Sequence, residues 1–480
     1  MKTKLLSTFL VFLLVTTLAF SGCIDLFKNG EETNGNEKPN FPNIQVTTSP
    51  ENTNEISVVV NPRNPLNIVV GANDYTTIHN DAWCGVYTSM DGGKTWKIDL
   101  IPGHPGQALE DPEQFLLSPL HGYHGTGDPV LAAGPDGTIY YAGIAFWRTI
   151  AGESAIFVAK STDGGMTWPA EDIRIVAQGD GVTSFHDKEW IAVDPNNGNV
   201  YCVWAMFSAY SASNIMFSKS TDKGNTWTVP KPISEFYNAE FSNQGTSVVV
   251  DNNGRIHIIW IDFQTNQLVY VYSDDEGETF QGPTPIARVD PIPYNPPNGT
   301  YRTPTLPALA VDNSGGETDG YLYATWNDDS LGDPDILLIT SKDGGKTWSE
   351  PVRVNDDEVG NDALQFFPAV AVNEEGEVHL VFYDTREDPN HTLLNVYYAI
   401  SVDQGESWKN YRLTDTSFDG NAGGGSWRGE IIGGDAFIGD YIGIDTGGGF
   451  AYAGWCDTRN GKPDARNSDC YVGIVDYEKL

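Results

Sequence analysis

An all-β repeat fold is what this chain predicts, and three observations carry that reading. The phrase Ser89-Met-Asp91-Gly-Gly93-Lys-Thr95-Trp96 returns as Ser161…Trp168, Ser220…Trp227, Ser273…Phe280, Ser341…Trp348 and Ser401…Trp408. A spacing of roughly 60 residues is the mark of an array built from one supersecondary unit. Ahead of each phrase stand short β-branched and aromatic runs broken by Asn, Asp and Gly, which reads as antiparallel strands joined by turns. The composition agrees: of 480 residues 51 are Gly and 28 Pro, 12% are aromatic and only 19% charged. That is turn-rich and globular, too apolar for disorder. Together these predict a seven-bladed β-propeller of four-stranded antiparallel blades.

Taken in order, the chain opens with Lys2 and Lys4 and an apolar run from Leu5 to Phe20. This is too short and weakly flanked for a membrane span and reads as a signal peptide over residues 1–22. Its end, Phe20-Ser21-Gly22-Cys23, resembles a prokaryotic lipoprotein cleavage site. That resemblance implies a lipidated Cys23 and a protein held on the outer face of the cell membrane, with plain secretion as the alternative. Residues 23–42 are polar and turn-rich and read as a flexible tether. Residues 43–480 then form a single domain.

Within that domain the units begin near Ile56, Asp128, Lys188, Gly245, Leu306, Phe367 and Asp440, seven units for six phrases. The last unit stops before a phrase would appear. Asn43-Ile-Gln-Val-Thr47 is free to supply its outer strand, so the ends of the chain close the ring and no sheet edge is left open. Within each phrase the Asp carboxylate can accept bonds from the amides of its own turn, Gly supplies the positive φ, and Trp packs between neighbouring sheets. Asp91, Asp163, Asp222, Asp275, Asp343 and Asp403 are therefore expected to be structural.

The Ser-x-Asp-x-Gly-x-Thr-Trp phrase resembles the Asp-box of the sialidase (BNR-repeat) superfamily of β-propellers, over nearly all of the mature chain. The resemblance implies a propeller whose boxes lie on the blade periphery, away from the active centre. Sialidases are six-bladed, so a six-bladed ring is the alternative count. A sialidase also requires three Arg on the substrate carboxylate, a Tyr nucleophile activated by a Glu, and an Asp acid/base. Arg302, Arg386, Arg428 and Arg459 are the available guanidinium groups; Tyr441, Glu430 and Asp187 or Asp128 are the candidate catalytic residues. The family's early Arg-Ile-Pro motif is missing, with only Pro62-Arg63-Asn64 in its place. Exo-sialidase activity is therefore not expected.

Charge and cysteine content narrow the partners. With 65 Asp and Glu against 28 Lys and Arg the net charge is −37, which repels nucleic acid and anionic membrane surfaces. Contact with a membrane is expected only through the N-terminal lipid. Beyond Cys23, Cys84 and Cys202 read as small buried hydrophobes, and Cys456 and Cys470, flanking one hairpin loop, are expected to form a disulfide.

Ligands of a propeller meet the end of its central channel. The loops expected there carry Lys188, Trp190, Arg302, Asp328, Asp384, Arg386, Asp440, Asp457 and Arg459 as ligand-binding candidates, with Trp147, Tyr301, Phe366 and Tyr441 as aromatic walls. Asp follows the second strand in five units (Asp74, Asp262, Asp328, Asp384, Asp457), and Asp-Thr-Arg occurs twice. Two accounts stand open: these carboxylates cap strand ends and Arg pairs with them across blades in a closed ring of ion pairs, or they form a polar funnel for a sugar. No cofactor is expected and no metal-ligand spacing stands out. A structural Ca²⁺ is the minor alternative, and His121-Gly-Tyr-His124 reads as loop decoration. The functional reading is a tethered propeller, a monomer, that binds carbohydrate or a cell-surface protein at its funnel. The alternative is a glycoside hydrolase or polysaccharide lyase acting on acidic extracellular carbohydrate.

Overall fold

The computed structural model describes residues 41–480 except 50, 77–80, 148–152, 182, 209–212, 235–242, 425–435 and 464–466. The expected signal peptide, Cys23 and nearly all of the tether lie outside the described residues, as do Arg428 and Glu430. Seven antiparallel sheets follow one another along the chain. Blade 1 is built from Thr53–Asn61, Asn64–Asp74, Trp83–Ser89 and Lys97–Leu100. The inner strands of blades 2 to 6 are Gly125–Ala133, Ser184–Val193, Asn243–Val250, Ala308–Val311 and Gln365–Val372. Each inner strand lies against those of the neighbouring blades, and the last meets the first, so the ring closes at seven.

Blade 7 shows how it closes. Gly443–Gly447, Phe450–Asp457 and Asp469–Asp476 provide three strands, and Asn43–Gln45 pairs with the third, Asn43 opposite Gly473. The outer strand expected from the start of the domain is in place. Among the described residues no helix is long and apolar enough to cross a membrane.

Packing between blades explains why the repeat phrase recurs. Ser89 Oγ donates to Asp91 Oδ1 at 2.9 Å and accepts from the Gly93 amide at 2.9 Å. Asp91 also receives the Thr95 amide at 2.9 Å and the Thr95 hydroxyl at 2.7 Å. The same bonds recur in the other five copies, with Ser407 replacing Thr in the last. In Asp222 the Thr226 hydroxyl and amide hold the carboxyl down to about 2. Each closing ring then enters an apolar cluster shared with the blade before it. Trp168 packs with Val69 of blade 1 and edge-on to Tyr141, and Phe280 packs edge-on to Phe217 of blade 3. Gly165, at φ 87°, lets the turn approach: a Cβ there would stand 2.7 Å from Val69 Cγ2. Each repeated turn is thus held by its own carboxylate and packed between blades.

The expected Cys456–Cys470 disulfide is not formed. The two residues face each other in register across adjacent strands, but both are buried free thiols. The Cys456 side chain hydrogen-bonds to Ser468, and burial pushes both thiols up, away from the reactive thiolate. Register supplies proximity; a disulfide also needs its own dihedral geometry. Cys84 and Cys202 are buried and free, as read.

Candidate functional site

The inner strands carry the device that builds the site. In blades 1, 2, 3, 4 and 6 the ladder to the second strand slips by one residue near its start, between Asn54 and Ser57, Gly127 and Val130, Asp187 and Trp190, Gln244 and Ser247, and Phe366 and Ala369. A bulge of this kind re-aims a side chain. The bulged residues are Glu55, Asp128, Lys188, Gly245 and Phe367, all at positive φ between 51° and 73°. Four of them are not glycine, a conformation costly for a side-chain-bearing residue and held only by its surroundings.

Three of those bulges meet. Lys188 Nζ lies 2.8 Å from Asp128 Oδ2, 2.8 Å from Asp440 Oδ2 and 3.1 Å from Glu55 Oε1. One ammonium thus joins blades 1, 2 and 3 to the loop entering blade 7. Asp440 is held on its other side by Arg302, whose Nε and Nη2 reach its two oxygens at 2.6 and 2.7 Å. Asn73 Nδ2 donates to Glu55 Oε2 at 2.8 Å, and Asn73 Oδ1 accepts the Asp128 amide at 2.9 Å. Lys188 also stands over the Tyr441 ring, 5.3 Å from its centre.

The electrostatics follow from burial and crowding. Burial, then the neighbouring Asp128, raises Glu55 to about 8 against the pull of Lys188. Asp187 rises to about 6 from the same two causes. Burial alone would lower Lys188, but Asp128, Asp440 and Glu55 push it well up; burial would raise Asp440, but Lys188 and Arg302 bring it down. Glu189 is 2% exposed, neither of its carboxyl oxygens has a hydrogen-bond partner, and burial drives it far up. Burial without a partner disfavours the charged form of such a carboxyl.

This knot divides two cavities. Above it a funnel of about 910 Å³ opens, lined by Glu55, Asp128, Asp187, Lys188, Arg302 and Asp440 on its floor. Its walls include Tyr75, Phe146, Trp147, Phe185, Phe207, Phe263, Tyr294 and Phe437. Below it an axial cavity of about 390 Å³ is lined mostly by inner-strand aliphatics, with Glu189, Trp190 and Tyr441 near its mouth. Charge gathers on blades 7, 1, 2 and 3, whereas blades 4 and 6 put Gly245 and Phe367 at the bulge. Among the described residues no group of three or more His, Cys, Asp or Glu is placed to hold a metal ion. The Lys188 ammonium occupies the point on which the carboxylates converge.

Asp128, Asp187, Lys188, Arg302 and Asp440 lie together at the funnel floor, with Trp190 and Tyr441 in the lining of the axial cavity. Tyr441 donates its hydroxyl to the Pro129 carbonyl at 3.0 Å. Asp328, Asp384, Arg386, Asp457 and Arg459 line neither cavity. The five recurring Asp residues are the last residues of their second strands, and each accepts the amide two residues on, as Asp384 does from Arg386 at 2.7 Å and Asp457 from Arg459 at 2.9 Å. Arg386 pairs with Asp384, Asp356 and Asp357 over the Tyr397 ring, and Arg459 with Asp457 and Asp415 over Tyr471. The capping half of the first account describes this geometry; the closed ring of cross-blade pairs does not, since Arg386 and Arg459 each pair with the capping Asp of their own loop, two residues before them. Tyr301 and Phe366 are also not walls: they are 1% and 0% exposed and pack on each other in the core.

Glu55, Tyr294 and Phe437 line the funnel without having been expected there from the sequence. Glu55 had a signal, since it stands ahead of its box at nearly the same interval as Asp128 and Lys188 do ahead of theirs.

No protein-family model matches the chain, and no curated protein matches it. Similar solved structures include the Hadza microbial sialidase Hz136, 17% identical over 88% of this chain and 75% of that one, TM-score 0.47. The α-L-arabinanase of Penicillium chrysogenum is 17% identical over 72% and 94%, and the α-L-arabinofuranosidase Arb93A of Fusarium graminearum 12% identical over 92% and 99%, each with a TM-score of 0.47. Likeness this distant transfers none of their activities to this chain.

Proposed function

We propose that this chain is a carbohydrate-binding propeller whose ligand enters the wide funnel, and that Cys23 tethers it by lipid to the outer face of the cell membrane. The observation that carries the reading is the funnel itself, a large concave site with an aromatic wall and a polar, pre-organised floor. Aromatic faces stack on sugar rings, while carboxylates and amides take hydroxyls. Trp147 and Tyr294 are the half-exposed rings of that wall, at 38% and 56% exposure.

The ligand is not an acidic sugar. The two basic residues that line the funnel, Lys188 and Arg302, are each already held by carboxylates. No three-guanidinium clamp assembles among the described residues, because Arg386 and Arg459 stand outside the cavity. A uronate or sialate entering here meets net negative charge.

A second reading has one observation in its favour. Glu55 is a carboxyl raised to about 8 beside Asp128 at the funnel floor, which is the setting of a proton donor in glycoside hydrolysis. One experiment tests both readings. Purified protein is applied to a glycan array and incubated with a polysaccharide panel assayed for new reducing ends. Saturable binding without release supports the binding propeller; release that Glu55→Gln abolishes supports the hydrolase. The absence of both overturns the assignment to carbohydrate.

A further inference from the structure

We propose that the sugar taken by this funnel carries a protonated amine, as an amino sugar with its nitrogen unacetylated does, and that Asp187 is the ion-pair partner of that amine. The inference rests on the carbohydrate reading and names its ligand class.

Three features of the floor point to a cation. The first is the balance of groups: even with Glu55 holding its proton near neutral pH, Asp128, Asp187 and Asp440 line the funnel against Lys188 and Arg302. Those two cations are consumed internally, Lys188 by Glu55, Asp128 and Asp440, and Arg302 by a two-pronged pair with Asp440.

The second is Asp187. It is partly buried, lines the funnel, and among the described residues makes no hydrogen bond or ion pair with its carboxyl group. The charges that bear on it are Asp128 and Asp440, which oppose its ionisation, and Lys188 and Arg302, which favour it. Among the described residues every other carboxylate on the floor has a cation in contact and Asp187 has none. Beneath it, on the same bulge, Glu189 lies in the mouth of the axial cavity with both oxygens unpartnered.

The third is the wall. Trp147, Phe185, Phe263 and Phe437 line the same space, and aromatic faces attract ammonium groups as well as sugar rings. A neutral sugar would use the wall and leave Asp187 unpaired. A uronate would be repelled by it. An amino sugar uses both.

The test holds the backbone fixed and changes one substituent. β-1,4-linked oligomers of glucosamine, N-acetylglucosamine and glucose are titrated calorimetrically near neutral pH into the mature protein and into Asp187→Asn. The glucosamine oligomer binds wild type about tenfold or more tighter than the glucose oligomer, the worth of one charge-assisted hydrogen bond. In Asp187→Asn the gap between the glucosamine and glucose oligomers closes to within about twofold, and a thermal melt matching wild type shows that the variant is folded. Added salt weakens only the glucosamine complex. Equal affinity of wild type for all three oligomers, or a preference that survives in Asp187→Asn, overturns the amine inference and leaves the carbohydrate reading standing. Binding of none of the three overturns the carbohydrate reading, and the inference with it.

Discussion

Lys188 Nζ and Asp440 Oδ2 stand 2.8 Å apart, joining blade 3 to the loop that enters blade 7 across the mouth of the channel. Nearly all the charge of the funnel floor turns on that pair, because Asp128 and Glu55 share the same ammonium and Arg302 shares the same carboxylate. The contact spans the ring where the ends of the chain meet, so it also fastens blades that sequence separates widely.

Removing the ammonium leaves three carboxyl groups facing one another in a largely buried knot. Lys188→Met is expected to lower stability by about 3–5 kcal/mol, since breaking a buried pair exposes the uncompensated partners. Urea unfolding of the variant beside wild type measures it. A shift of the size seen for an exposed lysine such as Lys94 would contradict the account.

Glu55 sets a pH dependence with a definite sign. Its folded value, about 8, lies above the 4.5 of a free glutamate, so the folded state holds a proton that the unfolded chain has lost. The associated stability is fully present below pH 4.5 and is lost as pH rises towards 8. Wild type should therefore lose stability relative to Glu55→Gln across that window, on the order of a few kcal/mol in total. Thermal melts of both proteins at intervals between pH 5 and 8 read the difference.

A rim box should matter for folding and not for binding. Trp168→Ala empties a site shared by blades 1 and 2 and is expected to cost about 3–5 kcal/mol. Ligand affinity, measured well below the lowered melting temperature, is expected to stay within about twofold of wild type.

Since both Cys456 and Cys470 are free, dithiothreitol should leave the melting temperature of the protein unchanged. A drop on reduction would restore the disulfide that the strand register invites.

Much of this was legible in the sequence, and what was not has a physical cause. Repeat spacing and the turn chemistry of Asp91 and its equivalents depend on local residues, so blade count, closure by Asn43–Gln45 and the rim boxes could be read directly. Asp128, Lys188, Arg302 and Asp440 could be found because they precede inner strands at recognisable positions. The conformation that makes them converge could not, because a bulge with positive φ leaves no mark on the alternation of apolar residues. For the same reason Glu55 passed as the start of a strand. Asp384 and Asp457 misled in the opposite direction: an Asp after a strand reads alike whether it caps that strand or faces a ligand. Only the bonds to Arg386 and Arg459 tell the two apart.

The wall should carry affinity separately from the floor. Replacing Trp147 and Tyr294 together with Ala is expected to weaken sugar binding by about fivefold to 150-fold, at an aromatic contribution of about 0.5–1.5 kcal/mol per ring. Both side chains are half-exposed, so the melting temperature should hardly move.

The most direct measurement is a crystal structure of the protein with a bound glucosamine oligomer. The account predicts sugar density in the funnel, a ring against Trp147 or Tyr294 and the amine within hydrogen-bonding distance of Asp187. An oligomer seated on the blade rim, or against Asp384 and Arg386, would contradict it.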